Sequence, residues 1–198
     1  MTPLGVILAG GQARRMGGGD KCLLPLGGLT LLERIIRSLE AQVDGIVLNA
    51  NGDPGRFAAF GLPVISDDLP EHPGPLAGVL ASLEHAAASH SHIVTVAGDT
   101  PFVPADLVAR LEAARGAEDR PIALAATRED GRVVRHPTVA LWPVALRQDL
   151  RAALSAGTRK IVAWTDAHGA ATAVFPGDPF FNINTPEDLE TAEAMLCA

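Results

Sequence analysis

A chain of 198 residues, 47% hydrophobic and 20% charged, with 20 glycines and 15 prolines, has the composition of one ordinary globular domain. Disorder, collagen and coiled coil are excluded as descriptions of the whole. Sixteen basic against twenty-three acidic residues give a formal net charge of −7, which repels a polyphosphate backbone at long range and argues against nucleic acid as a partner. The two cysteines, Cys22 and Cys197, lie far apart in sequence and suggest neither a disulfide framework nor a structural zinc site, as expected of a protein in a reducing cytoplasm.

Short apolar runs alternate with amphipathic stretches, the sequence form of a mostly parallel sheet covered by helices. The first run, Leu4 to Leu8, is continuous rather than alternating, as expected of a strand buried on both faces. It lacks a basic flank and Gly10 interrupts it far short of the ~20 residues that span a bilayer, so neither export nor membrane insertion is expected. Thr30 and Glu33 form a T-x-x-E capping box ahead of Leu31, Leu32, Ile35, Ile36, Leu39 and Val43 at helical spacing, which predicts a helix of about three turns. Gly45 to Asn49 reads as a strand, Pro54 to Phe60 as a short helix or loop, and Val64 with Ile65 as a brief strand. Pro73-Gly74-Pro75 then opens a helix that buries Leu76, Val79, Leu80 and Leu83.

His92 to Ala97 is a further strand, broken by Gly98-Asp99-Thr100-Pro101, and Pro104 to Arg115 a helix with Leu107, Val108 and Leu111 inward. Beyond residue 120 the pattern changes. Apolar runs at Ile122 to Ala126 and Thr138 to Trp142 around a turn at Glu129-Asp130-Gly131 predict a hairpin or mixed-sheet edge. Helices at Val144 to Leu154 and Arg159 to His168 follow, then strands near Thr172 to Phe175 and Phe181 to Ile183. The last helix has Thr185 as N-cap and Pro186 at its first position, with Glu187 and Asp188 set against the dipole. The expectation is one α/β domain over residues 1–198, a Rossmann-like three-layer α/β/α sandwich with a mixed C-terminal portion.

The most informative stretch is residues 10–21, which carry five glycines and three cations directly after a buried strand. Glycines let main-chain amides approach an anion, while guanidinium and ammonium groups neutralise phosphate charge. In open α/β sheets such a ligand sits beyond the C-terminal strand ends. Neither the P-loop G-x-x-x-x-G-K-[ST] nor G-x-G-x-x-G is present, because Asp20 precedes Lys21 and Cys22 follows it. A mobile surface turn with solvated cations is the bland alternative. Asp99 reads equally as a turn-former, Asp67 and Asp68 as a solvated acidic turn, and Asn49 and Asn51 as strand-end turn residues. His85, His90 and His92 sit among alanine and serine and read as solvated surface rather than a metal cluster. Asn182 and Asn184 alternate, so on a strand they share a face, although a cap before Thr185 explains them as well.

Leu8-Ala9-Gly10-Gly11, Arg14-Arg15-Met16-Gly17 and Asp20-Lys21 resemble the signature of nucleotidyltransferases with a Rossmann-like sheet, specifically of molybdenum cofactor guanylyltransferases. The resemblance continues in order through Val47 to Asn51, Asp67, Pro73 to Gly78, Gly98 to Pro101, His136-Pro137-Thr138 and Asn182 to Glu187, and so covers residues 8–187.

That resemblance implies Mg²⁺-dependent transfer of GMP from GTP to the terminal phosphate of molybdopterin or molybdenum-molybdopterin, releasing pyrophosphate. It places Leu8, Ala9, Gly10, Gly11, Asn49 and Asp67 on the nucleotide, Lys21 and Arg15 on the phosphates, and Asp99 on both metal and nucleotide. His136, Asn182 and Asn184 fall on the acceptor side. Residues 1–118 would then form the GTP-binding half and 119–198 the acceptor half of a monomer that makes transient contacts with other cofactor-synthesis proteins. The rivals are a cytidylyltransferase for the same cofactor, whose relatives resemble Leu-Ala-Ala-Gly at Leu8 to Gly11, a sugar-phosphate nucleotidyltransferase, and a noncatalytic nucleotide-binding regulator. Retention of Lys21 and Asp99 counts against the last.

Overall fold

The computed structural model describes residues 2–10, 19–67 and 74–197. Strand β1 (Leu4–Leu8) is the third strand of a seven-stranded sheet and pairs in parallel with β4 (Ile46–Asn49) on one side and β6 (His92–Ala97) on the other. Strand β5 (Val64–Ile65) extends the sheet beyond β4. On the far side β6 is followed by β8 (Arg132–Pro143), then β7 (Ala123–Glu129), then β9 (Ala171–Val174). β8 runs antiparallel to both its neighbours, whereas β9 is parallel to β7. A separate two-stranded ribbon, β2 (Pro25–Leu26) with β3 (Leu29–Thr30), sits to one side.

Helices cover both faces. On one, α1 (Leu31–Leu39) and α3 (Leu107–Glu118) bury Leu32, Ile35, Leu39, Leu107 and Leu111 against Ile7, Leu48, Val94 and Val96. On the other, α2 (Pro75–Ala86), α4 (Arg147–Ser155) and α5 (Ile161–Ala167) pack Leu76, Leu80, Leu150 and Trp164 onto Val6, Val47, Ile93 and Trp142. The predicted α/β/α sandwich is therefore the observed one. A smaller cluster of Leu26, Leu31, Ile183 and Ala192 attaches α6 (Pro186–Leu196) to the ribbon. No helix among the described residues is long and apolar enough to cross a membrane.

The capping box expected at Thr30 forms, and Thr185, expected as an N-cap, forms a second one. Thr30 Oγ1 accepts the Glu33 amide at 3.1 Å, and Glu33 Oε2 accepts the Thr30 amide at 2.6 Å. That backbone donor holds the Glu33 carboxyl below its usual value. At α6 the reciprocal pair is Thr185 with Asp188.

Three expectations need correction. The β7–β8 hairpin exists, and its two-residue turn has positive φ at Asp130 and Gly131, as a two-residue hairpin turn requires. It is not the sheet edge, because the distant β9 pairs outside β7. Residues 181–183 form no strand: Ile183 makes one backbone bond, its amide donating to the Asp99 carbonyl at 3.0 Å, without a ladder. Finally, α3 begins at Leu107 rather than Pro104. The segment after Pro104 closes a turn, Leu107 N to Pro104 O at 3.2 Å, and the helix runs past Gly116 to a left-handed cap at Asp119.

Candidate functional site

Parallel register brings the site together. Leu8 is level with Asn49 on one side and Ala97 on the other, and Asn49 with Ile65, so β1, β4, β5 and β6 end in one row. The chain just past that row, Ala9, Gly10, Asn51, Asp67, Gly98 and Asp99, consequently lines one cavity of about 440 Å³ at the C-terminal edge. Gly74 and Pro75 at the start of α2, Lys21, Cys22, Thr138 and Asn182 complete its wall.

Two side-chain networks face each other across it. At one end Asn49 Nδ2 donates to Asp67 Oδ1 at 2.9 Å and Asn51 Nδ2 to Asp67 Oδ2 at 3.0 Å, while the Asp67 amide donates to Asn51 Oδ1 at 2.9 Å. The Asp67 carboxylate is thereby fixed by one donor on each oxygen, and Asn49 itself is 6% exposed. Room for Asn49 comes from Gly78 on α2, where a Cβ would overlap the Asn49 amide oxygen and lie 2.9 Å from its Cγ. At the other end Lys21 Nζ donates to Asp99 Oδ2 at 2.9 Å and to Asn184 Oδ1 at 2.6 Å. Beside them Thr100 Oγ1 donates to Asn182 Oδ1 at 2.8 Å. An Arg56 strut joins the two ends, its Nε 2.7 Å from Asp20 Oδ2 and its terminal nitrogens donating to the Asn51 and Asp53 carbonyls.

Of the predicted site residues, Leu8, Ala9, Gly10, Lys21, Asn49, Asp67, Asp99 and Asn182 share the cavity, and Asn184 reaches it through Lys21. Gly11 and Arg15 lie outside the described residues. His136 is not part of the cavity lining. Leu124 pairs with Ala140 but Ala125 with His136, so β8 inserts three extra residues there and His136 turns to the α3 face. Its ring packs 4.9 Å from Phe180 and its Nε2 lies 2.8 Å from Thr127 Oγ1. Burial pushes its pKa down, so the imidazole is neutral at pH 7. Gly78 and Thr100 lie in stretches that carry the resemblance but were given no role of their own, and Arg56 lies in none; the partners that define them, Asn49, Asn182 and Asp20, are distant in sequence. Cys22 also lines the cavity, but burial and the nearby Asp20 carboxylate push its thiol up to about 12, which leaves it without a thiolate at neutral pH.

The arrangement offers a fixed acceptor pair at one end and a cation beside a carboxylate at the other, the requirements of a nucleoside phosphate with a divalent ion. Among the described residues no three His, Cys, Asp or Glu side chains gather as a metal cage. Asp99 has its Oδ2 on Lys21 and on Oδ1 only a 3.5 Å contact from Thr100, so it can give one oxygen to a cation whose other ligands are phosphate and water. This donor set suits Mg²⁺, which commonly takes one or two carboxylates plus phosphates.

A family model described as the MobA-like NTP transferase domain matches residues 5–171. A molybdenum cofactor guanylyltransferase of Nitrobacter hamburgensis is 50% identical, with 96% of this chain and 93% of that protein covered. One of Bradyrhizobium sp. is 52% identical over 96% and 92%. A solved structure from Archaeoglobus fulgidus, described as molybdopterin-guanine dinucleotide biosynthesis protein A, superposes with a TM-score of 0.72 at 24% identity and 98% coverage of each chain, a likeness of fold.

Proposed function

The chain belongs to the family of MobA-like NTP transferase domains and is a nucleotidyltransferase, and from that premise we propose that it transfers GMP from GTP to the terminal phosphate of molybdopterin. The name carried by its half-identical relatives supports the pairing of guanylyl donor and pterin acceptor. The observation that carries the reading is the approach of Lys21 to Asp99, 2.9 Å, at a cavity whose opposite end holds the Asn49–Asp67–Asn51 network.

In this reading the guanine lies against Asp67. A carboxylate has about four lone-pair sites, so after the two asparagine donors it still accepts from the base N1–H and N2–H₂. Leu8, Ala9 and Gly10 bring main chain close to the nucleotide. Lys21 supplies compact positive charge to the triphosphate, and the resemblance adds Arg15 on the phosphates and Gly11 on the nucleotide. An oxygen of the acceptor's terminal phosphate attacks the α-phosphorus in line, the bond to the β-phosphate oxygen breaks, and pyrophosphate leaves with the negative charge. The barrier is largely the repulsion of two polyanions, so positioned cations carry much of the catalysis. Mg²⁺, held by Asp99 and the phosphates, would neutralise that charge.

Asn182, Asn184 and His136 belong to the acceptor half, residues 119–198, with residues 1–118 as the nucleotide half. The test is incubation with molybdopterin, GTP and Mg²⁺ followed by mass detection of the pterin. A gain of one GMP unit is expected with GTP. A product formed with CTP instead of GTP would replace the guanylyl reading by the cytidylyl one.

A further inference from the structure

We propose that Asn184 is a positioning residue for the nucleotide half of the site, holding the Lys21 ammonium so that its remaining donor faces the triphosphate. The inference deepens the guanylyl-transfer reading and rests on it only for the identity of the nucleotide.

Lys21 has three N–H donors and no acceptor, on a flexible four-carbon stem. In the structure two of the donors are assigned, one to Asp99 Oδ2 and one, the shorter at 2.6 Å, to Asn184 Oδ1. The side chain is only 12% exposed although its amide partner lies 163 residues away in sequence. Asn184 projects from a stiff base. Its own amide donates to Asp188 Oδ2 at 2.8 Å, and the Thr185 amide donates to the same oxygen at 2.9 Å. One residue earlier, Ile183 is fully buried against Leu26, Leu31 and Ala192, and its amide donates to the Asp99 carbonyl. Residues 182–184 are therefore stitched to Asp99, Thr100 and Lys21 by three hydrogen bonds from three consecutive residues.

Asp99 alone would hold Lys21 as a simple ion pair, free to pivot and in competition with a phosphate for the same ammonium. The Asn184 carbonyl adds a second fixed point without adding negative charge, which leaves the third N–H pointed and the net charge near the triphosphate unchanged. Asparagine suits this task where aspartate would not: a carboxylate at position 184 would oppose the incoming phosphates.

The experiment is a double-mutant cycle on nucleotide affinity, measured by titration calorimetry with no acceptor present, for wild type, Asn184→Ala, Lys21→Ala and the double variant. GTP and guanosine are the probes. Asn184→Ala is expected to weaken GTP binding about fivefold to tenfold, within the range of one ordinary hydrogen bond because Asn184 acts on the nucleotide only through Lys21, and to leave guanosine binding unchanged. In the Lys21→Ala background the same change is expected to have no further effect. Unchanged GTP affinity in Asn184→Ala, or an equal loss with and without Lys21, would overturn the proposal and confine Asn184 to the acceptor. Asn184→Ser, checked by its melting curve, replaces the alanine variant should that variant fold poorly. If wild type binds a different nucleoside triphosphate and not GTP, the guanylyl reading fails while the cycle, run with that nucleotide, still decides the role of Asn184.

Discussion

Gly78 offers a substitution whose sign is set by one contact. It lies in the first half of α2, and a glycine in a helix interior ordinarily costs ~0.5–1 kcal/mol relative to alanine, so Gly78→Ala would on helix grounds stabilise. The added methyl, however, would overlap the Asn49 amide oxygen, with Leu8 Cδ2 3.2 Å away on another side. Asn49 must then leave its place and lose the bond it donates to Asp67. A hydrogen bond to a charged group contributes roughly 1.5–3 kcal/mol and overpacking of a core costs ~1–3 kcal/mol. Offset by the helix gain, the net destabilisation is about 1.5–5.5 kcal/mol, which for a chain of this size lowers Tm by roughly 3–22 °C. Gly116 supplies the control. It also lies in a helix, is exposed, and has nothing within 4 Å of the point where an added methyl would stand, so Gly116→Ala should raise Tm by about 1–4 °C. Calorimetry of the two variants gives the signs directly, and GTP titration of Gly78→Ala should show weaker binding through the displaced Asn49–Asp67 pair. A Gly78→Ala protein as stable as Gly116→Ala, with wild-type nucleotide affinity, would refute the reasoning.

Four further outcomes are expected. Asp99→Ala should lower turnover by about 10²-fold or more, as loss of a charge-stabilising group does, while metal-free GTP binding is kept because Lys21 is released from its ion pair; unchanged turnover would place the metal elsewhere. Thr30→Ala removes one half of the α1 capping box and should cost about 1 kcal/mol in a denaturant melt, and Glu33→Gln on top of it should destabilise further, because the bond that the Thr30 amide donates to Glu33 Oε2 survives the first change. Cys22, buried with its pKa raised from 9.0 to about 12, stays protonated in the fold while the unfolded chain ionises. Its contribution to stability is therefore complete below pH 9 and is lost as pH climbs from 9 toward 12, a slope that should be shallower in Cys22→Ala. Thiol labelling at pH 8 should modify exposed Cys197 quickly and Cys22 only after unfolding.

Features set by neighbouring residues were legible in the sequence. The T-x-x-E at Thr30, the Asp130-Gly131 turn and Pro75 at the start of α2 each act within four residues, and each appears as expected. From their neighbours alone Asn49, Asp67 and Asp99 read as turn residues; the family resemblance singled them out together with Lys21, and it is the parallel register, which places the strand ends in one row, that brings them to one cavity. Features set by distant partners were not legible. The interior position of the β7–β8 hairpin depends on β9, more than 40 residues after β7, and the face of His136 depends on three extra residues in β8. Phe181 to Ile183 resembles a strand because Phe181 and Ile183 are apolar, but the fold uses the segment to bind Asp99 and Thr100 rather than to extend a ladder. Gly78 closes a stretch that carries the resemblance, but its role was not legible, since its lack of a side chain matters only because Asn49 is opposite.

The most direct measurement is a crystal structure of the protein soaked with GTP and Mg²⁺. The account predicts the triphosphate within hydrogen-bonding distance of Lys21, the metal on Asp99 and the guanine edge on Asp67. A nucleotide seated elsewhere on the molecule, or one whose phosphates touch neither Lys21 nor Asp99, would contradict it.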